Sequence, residues 1–379
     1  MMRSKNSPRS KTVENVLKLL AVRPLSASDF SRELKLTKPG ISKVLKEISG
    51  EKLIEVFRYN DNENRKGPKK TYYRIAKKSG MIGIIEFMST TIRYSFTSLN
   101  GEKLFQNEIK DAEFISQENI QALNDNFYQD SEVLIKKGYR LLTIVISTPG
   151  RINKFAEEIS DSKKFINIKE FKIREYYTNR YKIPVHISND INLLLLGEES
   201  GGAISETMED AIVIYIDSGI GGAILNKGKI IEGELGFAGE FGLCLTRDYD
   251  NQPIYVDQMC STNSLKQKLN LRHFSDVVKV YHEDAQVRDI VNVTANRVGE
   301  LIVNLYNTLN ITHVFIAGRI RLLGDEYLHH VRAKVAEYDN EIIVDYTRLN
   351  DEAFYLGALS LGKAYAFRDL SRGKKNETN

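Results

Sequence analysis

The chain has 379 residues, of which 42% are hydrophobic and 27% are charged. This length allows two or three domains with real cores, and the composition excludes wholesale disorder, collagen-like repeats and a bundle of membrane helices. No apolar run approaches the roughly 18–20 residues that cross a bilayer, and the N-terminus lacks the apolar segment of a secretory signal. Two cysteines cannot make a disulfide framework, so we expect a cytoplasmic protein.

The charge is divided unevenly along the chain. Residues 1–80 contain 20 Lys and Arg against 8 Asp and Glu, a net charge of +12. The remaining 34 Lys and Arg and 42 Asp and Glu give residues 81–379 a net charge of −8. A basic segment of this size is typical of proteins that bind a polyanion, because each neutralised phosphate releases condensed counterions. The first 80 residues are therefore predicted to be a nucleic-acid-binding domain.

Three short helical patterns open this basic segment. Apolar residues recur at three- and four-residue spacings over residues 11–21, which places them on one helix face. Ser26 stands three residues before Asp29, the spacing of a capping box. Thr37 is a good N-cap for a third helix, in whose first turn Pro39 is tolerated. This order predicts a helix-turn-helix whose last helix lies in the major groove of DNA.

Two strand-like segments, residues 53–57 and 71–75, follow the third helix and are joined by a polar, basic loop. They predict a winged helix-turn-helix whose wing tip reaches backbone phosphates or the minor groove. The candidate DNA-binding residues on the third helix and the wing are Thr37, Lys38, Pro39, Ser42, Lys43, Lys46, Arg65, Lys66, Lys69 and Lys70. The alternative is a three-helix bundle for protein contacts, but the clustered positive charge favours DNA.

From Met81 onward, strands alternate with helices, which is typical of an α/β fold. The predicted strands are residues 82–88, 91–98, 141–148, 185–188, 211–217, 221–226, 313–317 and 342–345. The predicted helices are residues 117–137, 191–198, 285–310, 326–338 and 353–367. The pair Asn100-Gly101 predicts a hairpin turn.

Three motifs follow one another in a specific order. They are residues 188–198 (SNDINLLLLGE), 217–224 (DSGIGGAI) and 233–242 (GELGFAGEFG). Together they resemble the ROK family, which contains bacterial sugar kinases and related sugar-responsive repressors. The resemblance covers nearly the whole chain and implies a winged helix-turn-helix before a two-lobed, actin-like (ribonuclease H-like) body. It places the smaller lobe at residues 81–190 and 352–379, the larger lobe at residues 191–351, and a sugar cleft between the lobes.

The resemblance also implies a sugar site. The matching positions are Asn167, Asn189, Asp190 and Glu240; the alternative function of Glu240 is that of a structural carboxylate in a turn. Asp190 occupies the family's catalytic-aspartate position, where a carboxylate takes a proton from a sugar hydroxyl; the alternative function of Asp190 is to cap the helix that starts there. Leu243 replaces a family histidine and Thr262 replaces a family glutamate, so we expect the pocket to select a different ligand.

Kinase activity requires glycine-lined turns that bring backbone N–H groups to the ATP phosphates. The family's first phosphate loop aligns with residues 86–90 (EFMST), where Met88 and Ser89 replace both glycines. The second loop, residues 218–222 (SGIGG), is intact, but a later glycine run is reduced to residues 317–319 (AGR). We therefore expect no catalytic residue and no nucleotide or other cofactor, with Asp190 as a vestigial base.

The family's structural zinc is also expected to be absent. Leu243 stands at the position of its histidine ligand, and only Cys244 and Cys260 remain in this segment. Tetrahedral zinc needs four such ligands, so the sequence predicts no metal site.

These features together predict a repressor of carbohydrate-utilisation genes whose operator affinity is altered by a sugar. The expected partners are a double-stranded operator with an inverted repeat, a small sugar effector, and a second copy of the chain in a homodimer or higher oligomer. No membrane partner is expected. Two alternatives stay open: an ATP-dependent sugar kinase that carries a DNA-binding domain, and a constitutive DNA-binding protein with a vestigial pocket.

Overall fold

The computed structural model describes residues 7–58, 70–88, 91–110, 115–153, 158–161, 172–202 and 208–373. The chain divides into two compact units. Unit 1 comprises Met1–Pro149, Ser162–Ser188 and Ala358–Asn379, and unit 2 comprises Gly150–Asp161 and Asn189–Gly357. This division places residues 1–80 in the same unit as the lobe that follows them, so the three-part division drawn from the sequence stays a prediction.

Unit 1 begins with three helices, each of which starts at a hydroxyl side chain. They are α1 (Pro8–Val22), α2 (Ala27–Glu33) and α3 (Lys38–Gly50). The side chains of Ser7, Ser26 and Thr37 each accept a hydrogen bond from a backbone N–H of the first turn, the usual function of these residues at an N-cap. Ser26 and Asp29 form the capping box that the sequence predicted.

A small sheet packs against these helices. Its strands are β1 (Leu25–Ser26), β2 (Ile54–Phe57) and β3 (Tyr72–Ile75), in the order β1-β3-β2. β2 and β3 are antiparallel, with Ile54 opposite Ile75. Apolar side chains from all three helices, among them Leu17, Phe30 and Ile41, are almost completely buried. The predicted helices and hairpin are therefore confirmed, and residues 7–76 form a winged helix-turn-helix, described here without the loop at residues 59–69.

The rest of unit 1 is built on a five-stranded sheet with the order β10-β7-β4-β5-β6. Its elements are β4 (Met81–Phe87), β5 (Ile92–Ser98), β6 (Lys103–Ile109), α4 (Gln117–Lys136), β7 (Leu141–Thr148), α5 (Ile173–Tyr181) and β10 (Val185–Asn189). β4, β5 and β6 are antiparallel neighbours, whereas β7 runs parallel to β4. An aromatic cluster that includes Tyr94, Phe96, Phe127 and Tyr177 fills the core beside this sheet.

Unit 2 contains a second five-stranded sheet, ordered β13-β12-β11-β16-β17. The strands of unit 2 are β8 (Arg151–Asn153), β9 (Glu158–Asp161), β11 (Ala211–Ile216), β12 (Ile220–Asn226), β13 (Lys229–Ile230), β14 (Leu245–Arg247), β15 (Pro253–Tyr255), β16 (His313–Ala317) and β17 (Ile343–Tyr346). Its helices are α6 (Asp190–Ser200), α7 (Val256–Cys260), α8 (Thr262–Lys268), α9 (Phe274–Glu283), α10 (Ala285–Leu309) and α11 (Gly324–Ala336). The last helix of the chain is α12 (Asp351–Ser371).

Helix α10 shows how local signals set element boundaries. Asp284 caps its N-terminus by accepting hydrogen bonds from the N–H groups of Gln286 and Val287. The helix ends at Asn310, whose φ of 55° is left-handed and which is one of the few residue types that adopts this conformation at low cost. The predicted helix over residues 285–310 is thus confirmed almost to the residue.

Two glycines allow α6 and the start of α12 to cross closely within unit 2. A Cβ atom added to Gly197 would overlap the carbonyl oxygen of Ala353, and one added to Gly357 would overlap the carbonyl oxygen of Leu193. On both sides of the crossing the overlapped atom belongs to the backbone, so no flexible side chain can move to make room. This crossing anchors α6, the helix that begins at Asp190.

We expect Gly357→Ala to lower the free energy of unfolding by more than about 2 kcal/mol, because the added methyl group forces two helix backbones apart. Thermal unfolding of the full chain, followed by circular dichroism, measures the shift. Gly50→Ala is the matched control, since a Cβ atom there has no heavy atom within 4 Å. Equal melting temperatures for Gly357→Ala and the control would show that the helices separate freely.

Candidate DNA-binding surface and sugar site

Helix α3 presents an exposed polar face. Ile41, Leu45 and Ile48 are buried against the rest of the winged helix. The residues predicted to touch DNA from this helix and its N-cap are all exposed, namely Thr37, Lys38, Pro39, Ser42, Lys43 and Lys46. The apolar periodicity of the helix therefore turns every one of these side chains toward solvent.

The electrostatics of this face are positive. Glu47, the acidic residue of α3, forms an ion pair with Arg9 of α1, so its charge is compensated within the domain. Lys70 is exposed just before β3. The pKa of the Asp29 carboxyl is lowered, first by a hydrogen bond from Ser26 and further by the positive charges of Lys70 and Arg32. The other wing positions, Arg65, Lys66 and Lys69, lie outside the described residues.

Asn189 caps helix α6. Its Oδ1 accepts hydrogen bonds from the N–H groups of Ile191, at 2.9 Å, and Asn192, at 3.3 Å. Its Nδ2 donates to the carbonyl oxygen of Gly150 at 3.0 Å. The capping function that we considered for Asp190 thus belongs to the residue before it, and Asp190 is the first residue of the helix.

Glu240 is held by a residue that the sequence did not suggest. The Arg151 Nε lies 3.5 Å from Glu240 Oε2, and the Arg151 guanidinium lies 5.5 Å from the centre of the Phe237 ring. Because Gly150 accepts from Asn189, the segment 150–151 brings the Asn189 and Glu240 sites together within unit 2. None of the three sequence motifs includes Arg151, so no local signal identified it. Asn167 lies outside the described residues.

The two replaced family positions behave differently. Leu243 has 47% of its surface exposed, whereas Thr262 is completely buried. The N–H of Thr262 donates to the carbonyl oxygen of Asp217 at 2.8 Å, which ties the start of α8 to the residue after β11. Asp257, which the sequence did not single out, instead lies beside the SGIGG turn, where its Oδ1 accepts the Ile220 N–H at 2.7 Å.

The surviving SGIGG turn is tied to the reduced glycine run by an ion pair. Arg319 Nε donates to Asp217 Oδ1 at 2.7 Å, and this hydrogen bond raises the pKa of Arg319. The turn's glycines also have packing functions, since a Cβ atom on Gly222 would overlap the Phe241 ring. Gly318 has a φ of 89°, and its Cβ would overlap the carbonyl oxygen of Ile216. Tight packing is thus sufficient to explain why glycine occupies positions 222 and 318, without a bound phosphate.

Of the segment that aligns with the family's first phosphate loop, residues 86–90, the structure describes residues 86–88. The N–H of Met88 donates to the carbonyl oxygen of Thr91 at 2.9 Å, which continues the antiparallel pairing of Phe87 with Ile92. This backbone donor is therefore used within a hairpin. Ser89 lies outside the described residues.

The cysteines do not form a metal cluster. Cys260 is completely buried, and burial raises the pKa of its thiol, while Cys244 is half-buried. Over the described ranges, no three His, Cys, Asp or Glu side chains are grouped so that they could hold a metal ion. With Leu243 at the histidine position, the residues present do not fit the family's zinc.

Along the chain, a winged helix-turn-helix is followed by α/β structure built on two five-stranded sheets. The model of the ROK family matches residues 82–364, and the chain belongs to the ROK family. Within the part of the chain that the structure describes, no helix is both long and apolar enough to span a bilayer.

Relatives of two kinds are similar to this chain. The xylose repressor of Staphylococcus xylosus is 26% identical over 309 residues, which cover 77% of this chain and 78% of that protein. A β-glucoside kinase of Klebsiella pneumoniae is 25% identical over 246 residues, covering 62% of this chain and 80% of that protein. A solved ROK family transcriptional regulator, described as a homologue of the Escherichia coli MLC protein, shares the fold with a TM-score of 0.79, 17% identity and coverage of 97% and 99%.

Proposed function

We propose that the protein is a sugar-responsive transcriptional repressor that binds an inverted-repeat operator as a homodimer or higher oligomer. The observation that carries this proposal is the exposed basic face of α3, on a winged helix joined to a ROK body. A dimer would place two such helices on two half-sites, one helical turn or a multiple apart. The xylose repressors among its relatives support a carbohydrate effector and make pentoses the first ligands to test.

The winged helix is joined to the following lobe by a braced connection. Lys77 Nζ lies 3.1 Å from the Glu102 carboxylate, and Lys78 Nζ donates to the carbonyl oxygen of Lys137 at 2.7 Å. Lys78 also lies 5.8 Å from the centre of the Tyr139 ring. These contacts tie the segment before β4 to the turn between β5 and β6 and to the end of α4, all within unit 1. Such bracing supports a mechanism in which a change in the lobe moves the DNA-binding helix.

The sugar must then bind the conformation with low operator affinity more tightly than the DNA-bound one. A tenfold loss of operator affinity needs only about 1.4 kcal/mol of this differential binding. Few contacts therefore suffice for regulation, and a pocket with several family residues replaced can still act as a switch.

Capture of sheared genomic DNA by the purified protein, sequenced at several salt concentrations, tests the proposal. We expect a small number of reproducible sites that share an inverted repeat, and the loss of those sites when the effector sugar is added. Diffuse binding that salt removes completely, with and without a panel of sugars, would contradict sequence-specific repression. The genes beside the captured sites then indicate which sugars to test.

A sugar kinase is the second candidate function. The SGIGG turn, the aspartate Asp190 and the β-glucoside kinase relatives favour it. Against it, the ion pair of Asp217 and Arg319 lies at the turn where ATP phosphates would bind, so a phosphate there would have to displace Asp217 from the guanidinium. The side chain of Met88 replaces a glycine in the first loop. We therefore propose that the protein has no kinase activity.

We expect Mg-ATP to leave the melting temperature unchanged, because a nucleotide that binds the folded state would have to raise it. The measurement is thermal unfolding with and without millimolar nucleotide, using magnesium sulfate at equal ionic strength as the control. A rise that depends on ATP concentration and is absent with sulfate would favour the kinase. Phosphate transfer to a sugar, followed by ADP release, would establish it.

A further inference from the structure

The carboxyl ends of β11 and β16 bring two charged residues together. The two strands are parallel neighbours, with Tyr215 opposite Ala317. Asp217 and Arg319 each lie two residues beyond this pair, so both leave the sheet at the same edge. The Arg319 Nε donates to Asp217 Oδ1 at 2.7 Å. The side chain of Asp217 is 17% exposed and that of Arg319 is 51% exposed, so the carboxylate is the less accessible partner of the ion pair.

Asp217 also uses a backbone donor of the SGIGG turn, residues 218–222. Its Oδ1 accepts a hydrogen bond from the Ser218 N–H at 2.5 Å. A second donor of the turn, the Ile220 N–H, is bound to Asp257 Oδ1 at 2.7 Å. Backbone N–H groups of a glycine-rich turn are the groups that hold a phosphate. In this turn, two of these groups are already bound to carboxylate oxygens of the chain itself.

Further contacts within unit 2 fix the position of Asp217. Its N–H donates to the carbonyl oxygen of Gly219 at 2.9 Å, and its carbonyl oxygen accepts from the Thr262 N–H at 2.8 Å. The Tyr215 hydroxyl lies 3.5 Å from Asp217 Oδ2. These contacts do not involve Arg319. The carboxylate is therefore held at the turn by its own backbone and neighbours, and the ion pair adds to an anion that is already in place.

The arrangement has the parts of a phosphate site with the phosphate replaced. A phosphate in a glycine-rich turn supplies acceptor oxygens to backbone N–H groups, and a neighbouring cation neutralises its charge. Here the Asp217 carboxylate supplies the acceptor and Arg319 supplies the cation. A second anion at this point meets the negative charge of Asp217 and has to break the ion pair before it can bind. The residues present therefore do not fit a nucleotide phosphate.

We propose that Asp217 is a built-in anion that takes the place of a nucleotide phosphate in the SGIGG turn and, with Arg319, determines that the turn binds no polyphosphate. This inference rests on the proposed function, because it names the residues that exclude nucleotide from the body of the repressor. Removal of the carboxylate uncovers a polyphosphate site, since it releases the Arg319 guanidinium and the Ser218 N–H together.

Isothermal titration calorimetry of the full-length protein with sodium tripolyphosphate, at constant ionic strength, tests the proposal. Tripolyphosphate is preferred to ATP because Met88 also replaces a glycine in the other phosphate loop. Asp217→Ala is expected to bind tripolyphosphate about 10- to 100-fold more tightly than the wild-type protein does. The φ of Asp217 is not positive, so alanine fits the backbone of the turn.

Asp345→Ala is the matched control. The Asp345 carboxylate pairs with Arg332, another arginine of unit 2, whose side chain is 49% exposed. This variant also releases a guanidinium, but on β17, at the edge of the sheet. We expect its tripolyphosphate affinity to stay within about twofold of wild type. An equal gain in both variants would overturn the proposal, because any released arginine would then bind the probe.

Two further variants separate charge from structure. Asp217→Asn keeps an oxygen for the Ser218 N–H and removes only the charge, so its affinity should lie between those of wild type and Asp217→Ala. The double variant Asp217→Ala/Arg319→Gln should lose the gain. Unchanged affinity in both single variants of Asp217, or a gain that persists in the double variant, would overturn the inference.

Tight binding of tripolyphosphate to the wild-type protein would overturn the inference as well. These outcomes leave sugar-responsive repression standing, because operator binding and its response to sugar are measured separately. A rise in the wild-type melting temperature with Mg-ATP would instead contradict the absence of kinase activity in the proposed function.

Discussion

Replacing Lys43 and Lys46 together by alanine is expected to lower operator affinity by at least about tenfold, and to reduce the slope of log affinity against log salt by about two. Each lysine that contacts a phosphate releases about one counterion when the complex forms. Both side chains are exposed on the outer face of α3, so their removal leaves the apolar face of the helix unchanged.

The double variant should fold normally. Alanine has the highest helix propensity, and the buried contacts of Ile41, Leu45 and Ile48 are retained. The measurement is fluorescence anisotropy with a captured operator fragment at four or more salt concentrations. Circular dichroism of the same samples shows whether the helix content is preserved.

A matched control removes the same charge from another part of unit 1. Lys103 and Lys136 are exposed residues of the lobe that follows the winged helix, and their double alanine variant keeps the charge of α3. We expect this control to change the salt slope by much less than one. If both double variants change the slope equally, the positive charge acts at long range and α3 is not the helix that contacts phosphates.

The winged helix was predictable because its signals are local. Capping by Ser26 and Thr37 and the apolar spacing of each helix lie within a few residues of one another. Even the main error there is local, since α1 begins at Pro8, three residues before the predicted start. Ser7 caps this helix and Pro8 occupies its first turn. This combination marks a helix start, but the prediction followed the apolar periodicity, which begins only after these polar residues.

The site residues that the sequence missed depend on long-range contacts. Arg319 meets Asp217 across 102 residues of chain, and Asp257 meets Ile220 across 37. No periodicity or spacing connects such pairs, because they come together only when the strands of unit 2 assemble. Arg151 and Glu240 are a third example. The chemistry of the candidate site is therefore set by tertiary packing, although its motifs are visible in the sequence.

Short elements were missed for a related reason. The hairpin of β14 and β15 has three residues in each strand, and its facing residues Leu245 and Tyr255 are both largely exposed. Neither strand buries enough alternating apolar residues to produce a period of two. Helix α5 has no side-chain cap, so the usual N-cap signal does not mark its start.

Asp190→Ala is expected to abolish the sugar-dependent change in operator affinity, whereas operator binding without sugar stays within about twofold of wild type. The reason is that Asp190 occupies the position where the family places a carboxylate on a sugar hydroxyl, and a hydrogen bond to a charged group contributes about 1.5–3 kcal/mol. The measurement is operator binding by fluorescence anisotropy with increasing xylose, compared with sugar binding by calorimetry.

Asn189→Ala supplies the contrast that separates ligand binding from helix capping. The Ile191 N–H is within hydrogen-bond distance of both Asn189 Oδ1 and Asp190 Oδ1, at 2.9 Å in each case. Loss of the Asp190 carboxylate therefore leaves the cap in place, while loss of Asn189 removes the cap and the bond to Gly150. We expect Asn189→Ala to cost about 1–2 kcal/mol of stability and Asp190→Ala much less. If Asp190→Ala instead unfolds the protein at the same temperature as Asn189→Ala, then Asp190 stabilises α6, and the sugar contact must be assigned to another residue.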